Sequence, residues 1–155
     1  MADEDHNIIP FGRPASAGSL IEVGGPVDSV CVTLSMYGEH LDPDWVSHQL
    51  GVRPSSGYRK GDPRPSNLPD HRGGGWFLEQ VGDAPATPES LTEQLLAPLP
   101  PATAEIWSTL AAHFEVQMHY ALFLYSFNRG FSLSPSVVWR LAAMRVRIVY
   151  DIYAN

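Results

Sequence analysis

Hydrophobic and polar residues alternate along three stretches of this chain, and the period of two predicts half-buried strands. Ser29 to Tyr37 places Val30, Val32, Leu34 and Met36 on one side, with Cys31, Thr33, Ser35 and Tyr37 on the other. Val116 to Tyr125 sets Val116, Met118, Tyr120 and Leu122 against Gln117, His119, Ala121 and Phe123. Val146 to Tyr153 carries Val146, Ile148, Tyr150 and Ile152 on one face, and Trp76 to Val81 also reads as a strand. Ser55 to Lys60 reads as a short edge strand.

Helical spacing fills the intervals, and the stop signals are explicit. Asp42 is positioned as an N-cap with Pro43 in the first turn, and Gly51 followed by Pro54 ends that helix. Thr87-Pro88 opens a segment with Leu91, Leu95 and Leu96 in register. Beyond Pro100-Pro101 a further segment carries Ile106, Trp107, Leu110 and Phe114. Ser134-Pro135 begins the last helix, which runs to about Met144. Residues 61–75 hold three prolines and four glycines and form the main internal loop, with Gly73-Gly74-Gly75 read as flexible hairpin backbone.

The resulting order, β-α-β-β-α-β-α-β, predicts an α+β domain. Its first six elements match a ferredoxin-like β-α-β-β-α-β core, with an added helix and strand. Helices are expected on one face of a mainly antiparallel sheet, leaving a second, more polar face. Residues 1–27 mix acidic residues, Gly, Pro, Ala and Ser without periodicity and are expected to be a flexible N-terminal arm. Residues 28–155 are expected to be a single domain.

Composition narrows the function classes. Ten basic against 17 acidic residues give a formal charge of −7, which argues against nucleic acid and suits either solubility alone or a basic protein partner. No apolar run approaches the length of a membrane span, and the start of the chain is acidic where a secretory signal is basic. With a single cysteine, Cys31, the expectation is a cytoplasmic protein without an internal disulfide.

Several residues occur in an order that resembles a known family. These are Leu41-Asp42-Pro43-Asp44, Gln49-Leu50-Gly51-Val52-Arg53-Pro54, Arg59-Lys60-Gly61-Asp62, Trp76-Phe77-Leu78-Glu79, Leu91-Thr92-Glu93-Gln94-Leu95-Leu96 and Asp151-Ile152-Tyr153. Together they are similar to the bacterial domain of unknown function family 4279, over about Asp28 to Asn155. Gln94 stands where family members sometimes carry a histidine. The resemblance implies no established activity. It associates the chain with immunity or accessory proteins of bacterial toxin systems.

Candidate chemistry is sparse. The six histidines fall at positions 6, 40, 48, 71, 113 and 119, none in a HExxH or CxxC context, so no metal or cofactor is expected. Cys31 lies inside a strand, and there is no Gly-x-Ser-x-Gly elbow, so no catalytic residue is assigned. The candidate ligand-binding surface is the polar sheet face, where His119 can reach Asp151 across strands with Arg147 alongside; the same pattern also fits an ordinary solvated face carrying a cross-strand salt bridge. Arg59 and Trp76 are expected at its rim. The leading expectation is a non-enzymatic binding module. Its alternative is a small-molecule binder or enzyme that uses the same polar face.

Overall fold

The computed structural model describes residues 25–125 and 129–154, so positions 1–24 of the arm expected at residues 1–27, and the turn residue Asn128, lie outside the described residues. Seven strands and four helices follow one another along that chain. The strands are β1 (Gly25–Pro26), β2 (Ser29–Gly38), β3 (Ser56–Tyr58), β4 (Gly74–Asp83), β5 (Glu115–Leu124), β6 (Arg129–Gly130) and β7 (Arg147–Ala154). The helices are α1 (Pro43–Leu50), α2 (Pro88–Leu96), α3 (Glu105–His113) and α4 (Pro135–Ala143).

The fold is α+β, with a five-stranded sheet in the order β3-β4-β2-β5-β7 and a two-stranded parallel pair β1-β6. The large sheet is mixed, where a mainly antiparallel one was expected. β3·β4, β4·β2 and β2·β5 are antiparallel, whereas β7 runs parallel to β5. The reason is the α4 crossover, which returns the chain to the end of the sheet where β5 began, so the next strand runs in the same direction.

Alternation decides the two faces. Val30, Val32, Leu34 and Met36 of β2 and Val116, Met118, Tyr120 and Leu122 of β5 are all buried. They join Val46 and Leu50 of α1, Leu91, Leu95 and Leu96 of α2, Trp107 and Leu110 of α3, and Val137 and Leu141 of α4 in one core. All four helices therefore cover a single face. Val27 also belongs to this core, so the ordered fold takes in Gly25 to Val27, which the pattern had assigned to the arm.

Local chemistry sets the helix ends. Asp42 accepts a hydrogen bond from the Asp44 amide, and Gly51 closes α1 at φ 70°. Thr87 caps α2 through a reciprocal pair with Ser90, and Ser134 caps α4. The connection from β4 to β5 is two helices, because Pro98, Pro100 and Pro101 stop one before the next begins. A buried polar pair sits beneath α2. Thr92 donates to the Pro88 carbonyl at 2.6 Å, so the Tyr120 hydroxyl, 2.9 Å away, donates to Thr92 Oγ1. No described helix is long and apolar enough to cross a membrane.

Candidate functional site

The face of the sheet opposite the helices is assembled in register across four strands. Glu79, Thr33, His119 and Val149 form one row, Val81, Cys31, Ala121 and Asp151 the next, and Asp83, Ser29, Phe123 and Tyr153 the last. Towards the other end lies Phe77, Ser35, Gln117 and Arg147, and then Gly75, Tyr37 and Glu115. Odd positions face this way because side chains alternate, so the rows mix the polar half of each strand.

His119 and Asp151 meet on this face. His119 Nε2 donates to Asp151 Oδ2 at 2.7 Å, although the two are diagonal neighbours rather than directly opposite. The carboxylate thereby orients the ring and leaves Nδ1 as the free nitrogen of the neutral form. Arg147 lies one row from His119 and two from Asp151 and donates to Glu115 at 3.1 Å, and Gln117 donates to the same carboxylate at 2.6 Å. His119, Asp151 and Arg147 thus share the face as expected, each charge already answered by a neighbour.

Trp76 and Arg59 do not rim it. Trp76 pairs with Met36 and is fully buried on the helix-covered side, where its indole N–H donates to Ser47 Oγ of α1 at 3.0 Å. It sits one position out of phase with the polar rows, so pleating directs it into the core. Arg59 turns towards α1, where its guanidinium holds Asp42 and Asp44. Negative charge at a helix start suits the dipole, and the arginine bridges both carboxylates.

The remaining candidates are structural in their surroundings. Burial pushes the Cys31 thiol up; its contact with the Thr33 hydroxyl opposes the rise and Glu79 adds to it. That is the reverse of what a thiolate nucleophile needs. His40 and Asp42 share a groove of about 240 Å³ with Trp45, Thr109, His113 and Phe114. Asp42 there holds Arg59, and His113 Nδ1 donates to the Thr109 carbonyl at 2.9 Å. Among the described residues no group of three or more His, Cys, Asp or Glu is placed to hold a metal ion.

A second groove, of about 330 Å³, lies at the Tyr37 end of the helix-free face. Tyr37, Glu39, Tyr58, Arg64, His71 and Arg72 line it together with Gly73 and Gly74. Here the glycine run is not flexible hairpin backbone, because β4 begins at Gly74. A Cβ on Gly73 would meet the Gly38 carbonyl oxygen at 2.8 Å, one on Gly74 would overlap that of Leu41, and one on Gly75 would meet the Tyr58 ring at 2.6 Å. These glycines let the loop return lie directly on the β2–α1 turn and let Tyr58 lie across β4. A sequence signal for the groove exists in charge: residues 53–72 hold five of the ten Lys and Arg, against two Asp, in a chain that is otherwise acidic.

Comparison with known proteins agrees with the residue order. The family model described as a domain of unknown function, DUF4279, matches residues 28–155. No curated protein and no solved structure matches the chain.

Proposed function

The chain belongs to the DUF4279 family, and we propose that it is a non-enzymatic binding module that docks a basic protein partner on its helix-free sheet face. The observation that carries this is the Ser29 end of that face. There Val81, Ala121, Phe123, Val149 and Tyr153 are interspersed with Glu79, Asp83 and Asp151. Val81 is 61% and Tyr153 51% exposed, and the Phe123 and Tyr153 rings stack at 4.9 Å. An apolar centre with stacked aromatics and a rim of one charge sign has the anatomy of a protein interface, and the carboxylates select a cationic partner. The family resemblance extends the proposal to a cytoplasmic immunity or accessory protein of a bacterial toxin system, with the toxin as the basic partner and no nucleic acid bound directly.

The order β3-β4-β2-β5 supports reading β2-α1-β3-β4-α2-β5 as a ferredoxin-like core, to which α4 and β7 add an edge. In that reading the added strand widens the docking face, since Val149, Asp151 and Tyr153 all come from it. The alternative, a small-molecule or catalytic site built from His119, Asp151, Arg147 and Trp76, loses Trp76 to the core.

The test is affinity capture from the native host followed by titration of the purified partner. Val81→Lys and Asp151→Lys each weaken binding at least tenfold if this face docks it. A partner whose affinity ignores both substitutions and ignores salt overturns the proposal.

A further inference from the structure

The groove at the Tyr37 end of the sheet gathers two arginines and a histidine against a single carboxylate. Its outer wall is the loop between β3 and β4, and that loop is tied down at its base. The Gly61 amide donates to the His71 carbonyl at 2.8 Å, and the His71 amide donates to the Asp62 carbonyl at 3.0 Å. The Arg59 amide donates to Asp62 Oδ2 at 2.7 Å, and Lys60 reaches across to Glu39 at 2.6 Å. The Tyr58 and His71 rings stack with centroids 3.6 Å apart. Phe77 packs edge-on to Tyr37 at 5.4 Å, beneath the same corner.

Charge in this groove is unbalanced. Glu39, its one carboxylate, is taken by Lys60. Arg64 and Arg72 form no ion pair with any described carboxylate. Arg64 Nε donates to His71 Nδ1 at 3.3 Å. That bond fixes His71 as the neutral tautomer with its proton on Nε2, a further donor. Two arginines, a histidine and two tyrosines thus line one small cleft. Two uncompensated positive charges call for a ligand group carrying two negative ones, and guanidinium groups match phosphate oxygens bidentately.

We propose that this cleft binds the doubly charged phosphate group of a small phosphorylated ligand, held by Arg64 and Arg72 and contacted by His71, Tyr37 and Tyr58. The volume is at the small end for ligand pockets, which suits a metabolite-sized phosphate monoester. The cleft lies at the opposite end of the face from Val81 and Tyr153, so this inference and the docking proposal stand or fall separately.

The experiment is calorimetric titration of the full chain with inorganic phosphate, phenyl phosphate and succinate, each to about 10 mM, with amide NMR shifts recorded in parallel. The expected result is saturable binding of phosphate or its ester, with shifts at Gly73, Gly74 and Tyr58. Arg64→Gln and Arg72→Gln each weaken it roughly tenfold or more, and the double variant abolishes it. Both arginines are exposed, so unchanged melting temperatures confirm that the variants remain folded. Binding of succinate alone, no saturable binding, or shifts confined to other surfaces would overturn the assignment. So would phosphate binding that both variants retain.

Discussion

Tyr120 carries a large pKa shift among the described titratable groups. Burial pushes its phenol up to about 12 from an ordinary 10.0. The folded state therefore keeps its proton more tightly than the unfolded chain. Its contribution to stability is complete below pH 10 and is lost as the pH climbs towards 12, by roughly 2 kcal/mol. Urea titrations at pH 9 and pH 11.5 test this directly. Wild type loses more stability between those pH values than Tyr120→Phe, which itself costs about 1 kcal/mol near neutrality. The His119–Asp151 pair predicts a contrasting result. Both side chains are partly in water, so Asp151→Asn changes the unfolding free energy by less than about 1 kcal/mol in the same assay. A larger loss would mean that the pair supports the fold rather than a surface. At this scale the alternation revealed which side His119, Asp151 and Arg147 take. It did not reveal that Trp76 takes the other, because Trp76-Phe77-Leu78 is apolar throughout and has no alternation to read.

Among the elements, α1 and the start of β4 carry the sharpest local constraints. Asp42 caps α1 and also receives Arg59, so Asp42→Ala removes two interactions at one helix end and costs roughly 1–2 kcal/mol in chemical denaturation. Gly51→Ala costs about 1 kcal/mol, through its positive φ alone, since nothing lies within 4 Å of the added methyl. Gly74→Ala should do more, roughly 1–3 kcal/mol, because the methyl would overlap backbone that cannot rotate away. A thermal melt of the two variants side by side ranks them; equal losses would refute the packing argument. Caps and stops were readable from sequence, since each depends on residues within a turn of one another. The glycine run was not, because its partners are Gly38, Leu41 and Tyr58, which the sheet alone brings near.

Across the whole molecule, Asp28 fastens two distant parts of the chain. Its carboxylate accepts from the Tyr125 amide at 2.8 Å and from Arg129 at 3.2 Å, and the amide bond, with Arg129, holds its pKa below the usual 3.8 despite partial desolvation. Asp28→Asn is expected to raise hydrogen exchange at the Tyr125 amide while leaving exchange in the centre of β2 unchanged; uniform acceleration would instead show loss of the global fold. Position in the chain gives no hint of this link, which spans about a hundred residues. What the amino-acid order settled by itself was the α+β class, the faces of β2, β5 and β7, the helix caps and the family, because periodicity and capping are short-range. The tertiary structure alone decided that β7 joins parallel at the edge, that Arg59 serves α1, and that Arg64, His71 and Arg72 line one groove with Tyr37 and Tyr58. Those relations depend on which strands become neighbours. Pairing register is a long-range choice, made by burying one apolar face beneath four helices.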